Sequence, residues 1–274
     1  MMDQDILKIL SDIQKNNYDI KGYEVKKVID ETLPIIGHQD PKVRDDLVYP
    51  VLAHLFHDHH LSETDITHYI DLLISDDYLY YDLENKESYS ALKRSFTVLQ
   101  LVIICFVHRR DHIIKEDKIN HLLTRFLDYY KKESILTGYD PQVGWIHTIA
   151  HSADLFSQLV QVEHLKEKDI LDIFEAIQHK MMNDYHDFIC NEDERSVVAI
   201  KKALDLNRMN QEHMLSWLDG LIIKEKDMIY PNKMILENNI KRFLRSLYFS
   251  MYQDEKYQEV TKHIEFILTE NQKR

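Results

Sequence analysis

Two histidines four residues apart, His147 and His151, with Asp154 one turn further on, are the side chains whose spacing could do chemistry. On a helix an i, i+4 pair lies about 6 Å apart along the axis, so both imidazoles can share one divalent ion such as zinc. Asp154, about 10.5 Å along the axis from His147, is better placed to orient His151 than to bind that ion, so further ligands must come from elsewhere. At about 100° per residue Ile146, Ile149, Ala150, Ala153 and Val160 share one face, and His147, His151 and Asp154 form a stripe roughly 130° away from its centre. Two of the five glycines, Gly138 and Gly144, fall in the loop just before, together with Asp140, and Trp145 follows with a large ring and a single donor. The same residues also read as histidines hydrogen-bonded to neighbouring helices.

Other constellations are less complete. His54, His57, Asp58, His59 and His60 close an apolar segment, with His38 upstream, and His57-Asp58 looks like the adjacent pair of an HD-type metal phosphohydrolase. Polar residues are expected at such a helix end in any case. Glu192, Asp193 and Glu194 could serve a metal or act as a base, but acids in a first helical turn are favoured by its dipole. Cys105 and Cys190 form no CxxC, and neither has the basic surroundings of a nucleophile. There is no GxSxG, P-loop, GxGxxG or HExxH. Arg94 lies one turn before the apolar run Val98 to Val107 and should be buried against a carboxylate, with Asp140, Asp154 and Glu194 as candidates.

The run GYDPQVGWIHTIAHSADLF, with Arg94-Ser95-Phe96 upstream and Glu192-Asp193-Glu194-Arg195 downstream, resembles the bacterial family filed as domain of unknown function 2785. The resemblance covers roughly Asp45 to Trp217, and its most specific element is the GW-x-H-x-x-x-H-x-x-D core. It implies a helical, cytoplasmic bacterial protein without an assigned role.

The elements that must position these side chains read as helices. Five Gly and five Pro in 274 residues supply too little turn chemistry for a barrel, a sandwich or a glycine-looped nucleotide fold. Helical spacing recurs through Ile6, Ile9, Leu10 and Ile13, then Val25, Val28, Ile29 and Leu33, which Gly37 can close. Asp40-Pro41 opens a third segment, and Ser62 to Asp65 reads as a variant capping box. Further helices are predicted over 86–109, 115–132, 144–162, 167–182, 192–206, 211–225, 232–251 and 255–269. The expected fold is all-α: an antiparallel helical array of about a dozen helices, an α-solenoid of the HEAT or armadillo kind, forming one domain over 1–274. Asp40-Pro41-Lys42-Val43-Arg44 resembles the second-helix signature of a HEAT repeat, although no fixed period of that signature follows.

The net charge of −13 disfavours nucleic acid, the start lacks a basic signal region, and Val98 to Val107 is about half of a membrane span. The acidity lies upstream of Leu221, and Lys233, Lys241, Arg242 and Arg245 could make a local basic face or simply a solvated one. A cytoplasmic protein- or peptide-binding module is the leading expectation, with Arg94, Asp140, Trp145, His147, His151 and Asp154 as ligand-binding residues. A metal-dependent hydrolase or metal-binding protein using His147 and His151 is the alternative.

Overall fold

The computed structural model describes residues 2–58, 60–85, 89–224 and 228–273. His59, the predicted helix start at Lys86 and the predicted helix end at Glu225 lie outside the described residues. The chain is mostly helical: α1 (Met2–Lys15), α2 (Val25–Thr32), α3 (Pro41–Val43), α4 (Tyr49–His57), α5 (Glu63–Leu73), α6 (Ser90–Asp111) and α7 (Glu116–Lys132) come first. A two-stranded hairpin, β1 (Tyr139–Asp140) and β2 (Gly144–Trp145), follows. Then come α8 (Thr148–Leu159), α9 (Glu167–Met181), α10 (Glu192–Asp205), α11 (Gln211–Asp219), α12 (Asn232–Phe249) and α13 (Gln258–Gln272). The helices from α7 onward start or stop within a few residues of their sequence expectations, except α8 and α11. Where 144–162 was expected to be one helix, Gly144 and Trp145 pair as a strand, and α8 begins only at Thr148.

Local chemistry explains the helix ends. Asp40 accepts from the Lys42 amide, and Ser62 and Asp65 bond reciprocally as a capping box. Between α3 and α4 the helix runs through a wide π-type turn, Arg44–Val48. Pro50 is the cause: it has no N–H to give the carbonyl four residues back, and its ring crowds that carbonyl. The Asp46 carbonyl thus freed accepts instead from the Gln14 side chain at 2.6 Å.

The helices pack as two rows. α4, α6, α8, α10 and α12 lie side by side in that order, with α7 and α9 packed together behind them and α11 against α13 at the end. One continuous apolar cluster runs through the rows from Ile6 to Ile267. α6 is long and apolar enough by length and composition to cross a membrane, a stretch well beyond the ten residues from Val98 to Val107; here most of it is buried against other helices. Cys105, inside it, has its thiol pushed up to about 12 by burial.

Arg94, fully buried in α6, does meet a carboxylate, but it is none of the three expected. Its Nε and Nη2 donate to the two oxygens of Glu133 at 2.7 and 2.9 Å, and Glu133 is just past the end of α7 and itself buried. Asp140 and Asp154 are committed elsewhere. The remaining Nη1 donates to the Tyr81 carbonyl and to Ser90, while Tyr129 and the Ile135 amide donate to Glu133. Removing one member leaves the other charge buried and uncompensated, at about 3–5 kcal/mol. Arg94→Met should therefore lower the urea midpoint strongly, and Arg94→Met combined with Glu133→Leu should recover most of the loss. An unchanged midpoint in the single variant would show that the pair carries no stability.

Candidate functional site

The hairpin is built by its own side chains. Asp140 Oδ1 accepts from the amides of Gln142 and Val143 at 2.8 and 3.2 Å, closing the turn, and Gly144 supplies the positive φ of +77° that the return strand needs. Asp140 is thus a turn-former. At Gly138 a Cβ would lie 2.5 Å from both the Cys190 Cβ and Glu192 Oε1, so only glycine lets the hairpin sit on the start of α10.

Arg44 fixes the hairpin from the other side. Fully buried, it donates from Nη2 to the Val143 carbonyl at 2.7 Å and from Nη1 to the His38 carbonyl at 2.8 Å. It also meets the Gln39 and Trp145 carbonyls, each at 3.3 Å, Asp45, at 2.9 Å from Nε, and the ring of Phe96, 4.9 Å away. The Ser95 hydroxyl, on α6, donates to the Ile146 carbonyl at 2.5 Å.

These bonds determine where the two histidines go. His147 is not in the helix: it is the residue before α8, with φ +52°, a left-handed conformation uncommon outside glycine. Its ring stacks on Trp145 at 4.4 Å and 5°, and its Nδ1 is buried without a hydrogen-bond partner. His151 is inside, with Nδ1 2.7 Å from Ser95 Oγ. The single Ser95 proton is used on Ile146, so His151 Nδ1 carries the hydrogen of that bond and Nε2 keeps its lone pair. The ring centroids are 5.5 Å apart, but among the described residues no group of three or more histidine, cysteine or carboxylate side chains converges as a metal site. The continuous stripe is therefore interrupted: His151 and Asp154 share a face of α8, and His147 stands outside it in the loop, its ring 5.5 Å from that of His151.

Asp154 does not orient His151; it forms a two-pronged ion pair with Arg195 of α10, with Nε to Oδ1 at 3.1 Å. The Arg195 charge and burial both act on the imidazoles. Burial first, then Arg195, pushes His147 down to about 4 and holds His151 well below 6.5. Both are neutral at pH 7. Among the described residues no activated nucleophile accompanies them: burial raises the Cys190 thiol and the Tyr49 phenol, and the buried Ser95 hydroxyl points into the Ile146 carbonyl. Arg94, an expected ligand-binding residue, is sealed in its pair with Glu133.

What is left open to solvent is aromatic. Tyr139 is 49% exposed and Trp145 46%, with their ring centroids 4.8 Å apart and the His147 ring stacked on the indole. A neighbouring cavity of about 640 Å³ is lined by other residues, among them Gly37, His38, Tyr81 and Lys93. The HD-like string is also resolved as local structure: His54 and His57 both bond Asp58 through Nδ1, at 2.9 and 2.6 Å, at the end of α4.

Of two residues that sequence reasoning missed, one carried a sequence signal. Glu133 follows Lys131 and Lys132 at a helix C-terminus, where the dipole disfavours a carboxylate unless a cation waits for it. Arg44 sits two residues before Asp46, the carbonyl that Pro50 frees. Nothing local announced that its guanidinium would turn inward.

The neutral histidines make stability depend on pH with a definite sign. Between about pH 6.5 and 4 the unfolded chain takes up protons on these imidazoles and the folded chain does not, so their contribution is complete above 6.5 and is lost as pH falls. Melting temperature should drop from pH 7 toward 4.5, and less steeply in His147→Gln. The comparison with wild type is needed because His108, His179 and His186 are also held down by burial. Parallel slopes in the two proteins would refute the assignment to His147.

Residues 79–249 match a family model described as Protein of unknown function (DUF2785). The match begins later than Asp45 and runs past Trp217 through α12, so it takes in Arg94, Glu133, the hairpin, both histidines and the Asp154–Arg195 pair, but not Arg44. No curated protein and no solved structure matches the chain. With more than half of its length inside that model, the chain belongs to the family of proteins of unknown function DUF2785.

Proposed function

We propose that this chain is a protein- or peptide-binding module, a single solenoid-like helical unit working in the bacterial cytoplasm, and that the aromatic hairpin is its recognition element. The observation that carries the reading is that Tyr139 and Trp145 are held half-exposed on a hairpin anchored from beneath by buried bonds, from Arg44 to the Val143 carbonyl and from Ser95 to the Ile146 carbonyl. Large apolar rings favour burial, and fixing them beforehand removes most of the ordering cost of an interface. Tyrosine and tryptophan are also the side chains on which binding energy concentrates.

The single-unit reading is supported by the uninterrupted apolar cluster, and the solenoid reading by the ordered row α4, α6, α8, α10, α12. The reducing compartment is supported by two free cysteines. Against a hydrolytic role stand the neutral, unaccompanied imidazoles and the inward Ser95.

Trp145→Ala and Tyr139→Ala should melt within a few degrees of wild type and weaken partner binding by about 2 kcal/mol each. The measurement is affinity capture from the source cytoplasm with wild-type and variant baits side by side, followed by titration of the captured partner. Equal capture by Trp145→Ala and wild type would defeat the reading.

A further inference from the structure

The row of helices carries a second feature along the face that starts at the hairpin. His151, Asp154 and Gln158 follow one another on α8. Beside Gln158, Arg109 of α6 donates to its Oε1 at 2.5 Å, and Lys202 of α10 reaches only Ser157 Oγ, at 3.5 Å. On α12, Arg245 has no hydrogen-bond or ion-pair partner among the described residues. None of the three is paired with a carboxylate, in a chain with 47 acids to 34 bases. The neighbour Lys201, by contrast, is paired with Asp205 at 2.6 Å. Two of these cations are held down: Lys202 by burial and then by the Arg109 charge, with Asp154 opposing, and Arg109 by burial.

Apolar side chains alternate with them. Val198 is 45% exposed one turn before Lys202, Phe249 is 66% exposed one turn after Arg245, and Phe106 is exposed one turn before Arg109. A cavity of about 450 Å³ between α10 and α12 is lined by Val198, Lys202, Arg245 and Phe249, with Glu194 as its carboxylate. Cations without counter-ions beside exposed apolar groups ask for a partner that is both acidic and apolar. The net charge of −13 turns away nucleic acid and anionic membranes, leaving a local acidic segment that can meet these cations at short range.

The geometry points to this face as the seat of an acidic peptide segment with apolar anchors, its carboxylates meeting Arg109, Lys202 and Arg245 and its apolar side chains resting on Val198 and Phe249. Helix axes about 8–10 Å apart make the path from α6 to α12 about 25–30 Å. An extended segment of roughly eight residues spans it. The assignment rests on the reading of the chain as a peptide-binding module, but not on the hairpin.

The probe is a fluorescein-labelled peptide of about ten residues in which Glu alternates with Leu and Phe. Its counterparts carry Lys for Glu, or Ser for the apolar residues. Fluorescence anisotropy on the full chain should show binding of the first peptide only, weakened by added salt and by about tenfold or more in Arg245→Glu and in Lys202→Glu. Phe249→Ser, at an exposed position, should weaken it without changing the melting temperature. No binding of the acidic peptide, equal binding of its lysine counterpart, or binding indifferent to both charge reversals overturns the proposal. Binding lost in Trp145→Ala and kept in the charge reversals overturns it while leaving the hairpin reading intact. Binding lost in the charge reversals and kept in Trp145→Ala supports it and speaks against the hairpin.

Discussion

A guanidinium with no access to water sits near the middle of this fold, and much around it follows from the need to neutralise it. Arg94 is fully buried in α6, so a carboxylate had to be brought to its Nε and Nη2 and acceptors from Tyr81 and Ser90 to its Nη1. Glu133 answers the charge from the end of α7, and by accepting from the Ile135 amide it also fixes the first residues of the segment leading to the hairpin. Lys180 of α9 then donates to the Glu133 main-chain carbonyl at 2.6 Å, drawing the back row to the same point. One ion pair thus joins α6, α7, α9 and the approach to the hairpin. Hydrophobic burial holds the rows together but is non-directional, and would tolerate these segments sliding; a two-pronged pair would not.

Arg44 plays the matching part from the N-terminal side. It reaches the hairpin across about a hundred positions of sequence and takes main-chain carbonyls as its acceptors. Main-chain acceptors fix where the backbone goes while leaving the side chains of the hairpin free. That division explains why Trp145 and Tyr139 are outside although the Val143 and Ile146 carbonyls beside them are held by buried donors. It also accounts for His147: with its carbonyl neighbours pinned by Arg44 and Ser95, the chain enters α8 through a left-handed residue, and the imidazole is turned onto the indole.

Much of the fold was legible because helix formation is written in local patterns. The Ser62 capping box, the Asp40 cap and the apolar periodicity from α7 to α13 needed only neighbours in sequence. The site was legible as a place and not as a geometry. The residues from Gly138 to Asp154 do gather, yet a 3.6-residue period extended through Gly144 assumed a helix where a hairpin forms, so His147 was put on a stripe it does not join. The partners of Arg94 and Asp154 were not readable for a different reason. Ion pairs such as Arg94–Glu133 and Arg195–Asp154 link residues about forty positions apart, and sequence spacing says nothing about which helix a buried charge will face.

The distribution of charge follows the same logic in reverse. Elsewhere on the surface a number of lysines and arginines find carboxylates, as Lys26 does with Asp65, Lys118 with Asp71 and Arg125 with Asp76, and such exposed pairs contribute little to stability. In an acidic chain that outcome is the easy one, since acids outnumber bases. Arg109, Lys202 and Arg245 have no such carboxylate among the described residues, and they lie on α6, α10 and α12 of one row, next to exposed apolar side chains. A lone unpaired cation on a surface means nothing. Three along one face, two of them held below their usual pKa by burial, keep an unfavourable arrangement that folding alone gives no reason to keep. The acidic, apolar segment proposed for this face would relieve it by bringing carboxylates to all three.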